Sequence, residues 1–263
     1  MSKTKVIAFA NNKGGSGKTT TVSNVGCAMA KLGKKVLLID GDMQINLTLS
    51  YFDEEGALAF SESGKNLFTG IKEERDLTDY VSDTEYENLD IIPSSFLMSS
   101  IEFELYSKRN NEITLKKCLS AIVARGYYDY ILIDAPPTLG AWVMNIMCAS
   151  DFVVIPTEAS PWGLFGLANM FDFISKAKKL APSLTVLGIA ITKADERKSY
   201  FKETLATLSE MEAARLFNSR IRIDSAVEWA QDNSKPVVAY KKYARSALEY
   251  VNLTKEIIEY ANR

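Results

Sequence analysis

Residues 11–19, Asn-Asn-Lys-Gly-Gly-Ser-Gly-Lys-Thr, constrain this chain more than any other stretch. The apolar run Val6-Ile7-Ala8-Phe9-Ala10 precedes them, and Thr20 to Ala30 follows as a helix-forming run. A strand feeding a glycine-rich turn that opens a helix builds a phosphate cradle. The glycines let successive backbone N–H groups converge on one anion, and the helix N-terminus adds its positive dipole end. Gly14, Gly15, Ser16, Gly17, Lys18, Thr19 and Thr20 form that cradle, with Lys18 reaching the β- and γ-phosphates and the Thr19 hydroxyl placed to ligate Mg²⁺. The usual spacing G-x-x-x-x-G-K-[ST] is not met, because Asn12 stands where its first glycine falls. An extra cation, Lys13, stands directly before Gly14. The stretch predicts a nucleotide site.

At 263 residues the chain fits one large α/β domain or two small ones and can bury a substantial core. Its 31 basic and 33 acidic residues nearly cancel, so any surface for a polyanion or a membrane has to be a local patch. The absence of histidine removes imidazole acid–base catalysis and His-ligated metals. Cys27, Cys118 and Cys148 are widely spaced in apolar helical contexts, which predicts buried free thiols in a reducing cytoplasm. Ser2 to Lys5 run straight into a strand, leaving no room for a signal peptide, and no apolar stretch approaches transmembrane length. A cytoplasmic protein is expected.

Strands are predicted at about 5–10, 35–40, 89–93, 128–134, 152–156, 185–192 and 220–223. Helices are predicted at about 18–32, 97–108, 112–125, 138–148, 163–179, 198–215, 224–231 and 244–261, the last with Ala247, Leu248, Val251 and Ile258 at helical spacing. Residues 41–88 read as a surface connection with two short helical pieces, about 65–70 and 76–81. Continuous apolar runs such as Val36 to Ile39 suit strands buried on both faces. The expected fold is α/β: a single domain over 1–263 with a doubly wound, mostly parallel sheet flanked by helices.

Ligands of such sheets sit beyond the carboxyl ends of the strands. Asp40 and Asp42 follow the second strand, and Asp134 ends the run Ile131-Leu132-Ile133. Joined to a phosphate loop, carboxylates there can support Mg²⁺ and orient the attacking water in phosphoryl transfer.

Three segments together resemble the nucleotide motifs of the ParA/MinD ATPases with a deviant phosphate loop: Lys13 to Thr20, Leu37 to Asn46, and Ile131 to Pro137. Asn88 to Pro93 and Ile155 to Glu158 are similar to the ParA/Soj branch, and the resemblance covers nearly the whole chain with no N-terminal helix-turn-helix extension. It implies an ATP-driven, face-to-face homodimer in which Lys13 crosses to the partner's phosphates. That is the role an arginine finger plays elsewhere, where it is worth about 10³–10⁵ in rate. It further implies Lys18 on the β/γ-phosphates, Thr19 on the metal, Asp42 on the attacking water, and Asp40 and Asp134 in support of Mg²⁺. Two departures stand out. Met43 replaces the proline of the usual D-x-D-P-Q, and Asn218 and Arg220 stand where the adenine-side loop often carries Pro and Asn. ATP as the nucleotide follows from the resemblance alone.

Soj-like ParA dimers bind duplex DNA without sequence preference, which needs clustered Lys and Arg and little else. The resemblance places the DNA contacts at Arg197 and Arg222, with Lys198, Lys202, Lys235, Lys241, Lys242 and Arg245 able to extend the patch. It also implies a nucleoid-associated location and weak hydrolysis stimulated by a ParB-type centromere-binding protein. Two alternatives stay open. One is a MinD-like membrane-associated positioning ATPase. That needs a basic amphipathic tail, and Thr254 to Arg263 reads instead as a mixed-charge, core-packing helix. The other is an ATP-gated scaffold with little hydrolysis, should Met43 misplace Asp42.

Overall fold

The computed structural model describes residues 4–108, 111–211 and 214–263. Its sheet has eight strands, the central ones short apolar runs: β1 (Lys5–Phe9), β2 (Val36–Asp40), β3 (Ser82–Asp83), β4 (Leu89–Ile92), β5 (Tyr130–Asp134), β6 (Phe152–Glu158), β7 (Thr185–Ala194) and β8 (Leu216–Arg222). β2 and β5 are buried at every position, as strands covered by helices on both faces require. The spatial order is β3-β4-β2-β5-β1-β6-β7-β8. All pairs are parallel except the short β3–β4 edge. The expected doubly wound α/β architecture is therefore the one observed.

Each face carries its own core. On one, Phe9, Leu38 and Leu132 pack with the helix Lys18–Lys31 and the last helix, Arg245–Ala261. On the other, Ile39, Ile133 and Ile155 pack with the helices Ala141–Ala149 and Pro161–Leu180. The three cysteines are free and buried. Among the described residues no helix is long and apolar enough to cross a membrane.

Several boundaries differ from expectation. Residues 41–88 are more ordered than a surface connection. They hold the helices Asn46–Leu49, Glu54–Ser63 and Leu67–Lys72, and a 3₁₀ turn, Leu77–Tyr80, where the second helical piece was expected. The start signals were present: Asp53 accepts from the Gly56 N–H and Asn66 from the Thr69 N–H, each capping a helix. The predicted helix 97–108 divides into a 3₁₀ turn, Phe96–Ser100, and the helix Ile101–Tyr106. The predicted helix 198–215 is shorter, Ser199–Ser209, and β8 starts at Leu216 instead of 220 because Phe217 joins Ile221 in the core. On the last helix the buried stripe is Ala247, Tyr250, Leu253 and Ile257; Leu248 is exposed.

Candidate nucleotide site

The chain leaves β1 toward β2 on one side and leaves its neighbour β6 toward β7 on the other, which opens a crevice at their carboxyl ends. The phosphate loop fills that position. Asn11 fixes its entry: the side-chain amide donates to the Pro156 carbonyl at 2.8 Å, and its oxygen accepts from the Lys13 N–H at 3.0 Å. The Thr192 hydroxyl, at the end of β7, donates to the Ser16 carbonyl at 2.8 Å and fixes the middle. Gly15 and Gly17 take φ of +72° and +81°, the left-handed region that only glycine enters without strain. The helix Lys18–Lys31 has no side-chain cap and no acidic residue in its first turn, so its leading N–H groups face the cleft free for an anion. The cleft measures about 910 Å³ and is lined by Gly14 to Thr20, Asp42, Pro137, Thr192, Lys193 and Ile221 to Asp224, among others.

Lys18 is buried, and its ammonium donates to the Lys13 carbonyl at 3.3 Å. Burial pulls its pKa down, opposed by Asp134 and Asp42. Asp134 is paired in register with Phe9 on one side and Asp40 on the other, which brings two carboxyl-bearing strand ends together. Asp134 is fully buried, and neither carboxylate oxygen has a hydrogen-bond partner. Burial raises its pKa well above the usual carboxylate range and Asp40 raises it further, with Thr19 and Lys18 acting the other way. An orphaned carboxyl beside a threonine hydroxyl and a phosphate loop suits a divalent cation, which would relieve that burden. Among the described residues no three His, Cys, Asp or Glu side chains converge to hold a metal alone. A Mg²⁺ here would therefore complete its shell with phosphate oxygens and water, its ordinary habit.

Asp40 has a different part. Its carboxylate accepts from the Thr48 N–H at 2.8 Å, the Thr48 hydroxyl at 2.7 Å and the Asp42 N–H at 3.2 Å. Burial still pushes its pKa up to about 6 against those bonds. The Thr48 oxygen also accepts from the Ser94 N–H at 3.0 Å, and the Ser94 hydroxyl donates to the Asp42 carbonyl at 2.7 Å. Asp40 thus anchors the loop that carries Asp42 into the cleft.

Lys13 lies outside the cleft lining. Its ammonium pairs with Glu158 at 2.9 Å and reaches the Ser160 hydroxyl at 3.3 Å. The Thr20 hydroxyl accepts from the Gln231 amide at 3.1 Å, tying the loop to the helix Ser225–Asp232. Asn218 and Arg220 do not line the cleft: Asn218 donates to Glu256 through its N–H and its amide, and Arg220 pairs with Glu196 at 3.4 Å. After β8 begins, the chain first enters the cleft wall at Ile221 to Asp224. Arg197 is exposed and paired with Asp195 at 2.8 Å; Arg222 pairs with Glu249 at 2.5 Å and borders the cleft. Thr192 and Lys193 were not singled out from sequence. Lys193 takes φ +49° and its ammonium lies near Gly15. A polar pair closing the apolar run Leu187 to Ile191 is the same signal that marks Asp40 and Asp134.

A glycine-rich loop between strand and helix, a buried lysine and carboxylates at adjacent strand ends define a P-loop nucleotide-binding domain. The profile of a family described as an AAA domain matches residues 4–186. The sporulation initiation inhibitor protein Soj of Bacillus subtilis is 32% identical over 254 residues, 96% of this chain and 98% of that protein. The chromosome partitioning protein ParA of Caulobacter vibrioides is 32% identical over 255 residues, 97% of this chain and 94% of that one. Among solved structures, a putative plasmid partition protein from Borrelia burgdorferi bound to AMPPNP superposes with a TM-score of 0.80 at 25% identity, covering 98% of this chain and 99% of the other. The chain belongs to the ParA/Soj partition ATPases of the ParA/MinD family.

Proposed function

We propose that this chain is a DNA-partition ATPase: ATP with Mg²⁺ drives a homodimer that holds nonspecific duplex DNA, and hydrolysis resets it. The observation that carries the nucleotide chemistry is the cleft itself, which the free N–H groups of the loop, buried Lys18 and Asp42 line, with Asp134 buried beneath it beside Thr19 and Lys18. Lys18 draws charge from the β/γ-phosphates. Thr19 and Asp134 would hold Mg²⁺, which when bound offsets phosphate charge. Asp42, kept rigid by the bonds around Thr48 and Ser94, orients the water that attacks the γ-phosphorus as ADP departs.

Lys13 joins only in the dimer. To reach a partner's phosphates its ammonium exchanges Glu158 and Ser160 for phosphate oxygens, an exchange of one anionic partner for another. Exposed Arg197, and Arg222 at the cleft border, provide the DNA contacts after exchanging Asp195 and Glu249, themselves largely covered, for phosphate oxygens. A ParB-type protein stimulates turnover. Two features favour DNA over a lipid surface: the apolar stripe of the last helix is already buried against the sheet, and the relatives above are partition proteins.

The test is phosphate release and nucleotide binding by wild type, Lys18→Ala and Asp42→Ala. Lys18→Ala should bind no ATP, and Asp42→Ala should bind ATP and dimerise without releasing phosphate. Turnover by Asp42→Ala at the wild-type rate would make the protein an ATP-gated scaffold instead.

A further inference from the structure

We propose that Trp142 is a positioning residue for Asp42, which rests on Asp42 acting in hydrolysis as above. Asp42 opens a tight turn: its carbonyl accepts from the Ile45 N–H at 3.1 Å, so Met43 and Gln44 are the corner residues. The first corner is where proline pre-sets the backbone, because its ring fixes φ. Met43 brings no such restraint, and its side chain is 44% exposed, so packing does not supply one.

The turn is held from outside instead. The Trp142 indole N–H donates to the Gly41 carbonyl at 2.8 Å, one residue before Asp42. The indole is itself fixed. Trp142 is 1% exposed, and its backbone N–H and that of Ala141 both end on the Glu102 carboxylate, at 3.2 and 2.8 Å. On its far side Gly41 donates to the Asp134 carbonyl at 3.0 Å, and a Cβ there would come within 2.7 Å of that oxygen. Gly41 is seated between a strand end and an indole. Asp40 and Ser94 hold Asp42 from its other side, whereas the Gly41 carbonyl, in the same peptide as the Asp42 N–H, is held by the indole. Without that bond this peptide is free to turn and Asp42 loses its fixed aim.

Trp142→Phe keeps an aromatic ring and removes the donor. Its turnover number should fall about 10- to 100-fold, the usual effect of misplacing a reacting group by an ångström. Affinity for a fluorescent ATP analogue should stay unchanged, because Trp142 does not line the cleft. Met43→Pro restrains the same turn at its other end, and the Met43 N–H is not among the turn's hydrogen bonds. The double variant should therefore recover turnover, which a purely packing role for Trp142 would not allow.

Wild-type turnover in Trp142→Phe, or a loss that Met43→Pro does not restore, overturns the proposal. Asp42→Ala measured alongside separates the two levels. A fully active Asp42→Ala overturns the role of Asp42 itself, whereas an inactive one beside a fully active Trp142→Phe overturns only the positioning. Should Trp142→Phe not fold, the indole ¹⁵N–¹H signals of the intact protein decide. Slow hydrogen exchange at Trp142 supports the bond, and exchange as fast as at exposed Trp229 overturns it.

Discussion

Replacing Thr48 by valine removes one hydroxyl and keeps the shape of the side chain. That hydroxyl is fully buried, donates to the Asp40 carboxylate at 2.7 Å and accepts from the Ser94 N–H at 3.0 Å. The change therefore deletes a hydrogen bond to a charged group and orphans a buried donor. A bond to a charged group contributes about 1.5–3 kcal/mol and a buried orphan costs about 1–3 kcal/mol, so the sum at pH 8 is roughly 4 kcal/mol. The penalty depends on pH. The native Asp40 carboxyl, at about 6 against 3.8 for an ordinary one, holds a proton that the unfolded chain has lost between those values. Its contribution to stability is thus fully present below 3.8 and lost as pH rises through about 6. The Thr48 hydroxyl favours the ionised form, so removing it raises that pKa further and costs most where wild-type Asp40 is ionised. At pH 5 the carboxyl is mostly protonated and the expected loss shrinks to roughly 2 kcal/mol. Urea unfolding of wild type and Thr48→Val without nucleotide, at pH 5 and pH 8, measures both. A penalty equal at the two pH values, or below about 1 kcal/mol at pH 8, would refute the placement of Asp40 and Thr48 in one buried network.

Asp134→Asn removes a buried carboxyl whose ionised form burial and Asp40 disfavour against Thr19 and Lys18, so in the absence of nucleotide the variant should unfold no earlier than wild type on heating. Its nucleotide affinity should lose most of its dependence on Mg²⁺, which titration calorimetry with and without the metal reads directly. Lys13→Ala should leave nucleotide binding by the monomer intact, since the ammonium sits on Glu158 outside the cleft. ATP-dependent dimerisation should be lost, as light scattering would show. A Lys13→Ala protein that still dimerises with ATP would remove the lysine from the interface.

The central strands were legible because β2, β5 and most of β7 are apolar runs that end in Asp40, Asp134 or a polar pair, and the loop because its glycines and lysine follow such a run. The two-residue edge strand Ser82–Asp83 has no such pattern and was missed. Residues 41–88 were read as looser than they are. Acidic side chains gave the surface impression, while the order comes from Thr48 on Asp40 and from the caps Asp53 and Asn66. The start of β8 was misplaced because Leu216 and Phe217 extend an apparently helical run, and only the packed sheet claims Phe217 as core. This part of the cleft lining was misread for a related reason. A strand that begins four residues earlier brings Ile221 to Asp224, not Asn218 and Arg220, to the cleft. Trp142 could not be found from sequence at all, since its partner is a backbone carbonyl 101 positions away.

The most direct measurement is co-sedimentation of the purified protein with nonspecific duplex DNA and, in parallel, with anionic liposomes, each with ATP·Mg²⁺, ADP·Mg²⁺ or no nucleotide. Retention on DNA alone, only with ATP·Mg²⁺, weakened by salt and lost in Arg197→Glu and Arg222→Glu, is the predicted result. Retention on liposomes alone, or retention on DNA indifferent to the nucleotide, would contradict an ATP-driven, DNA-holding dimer.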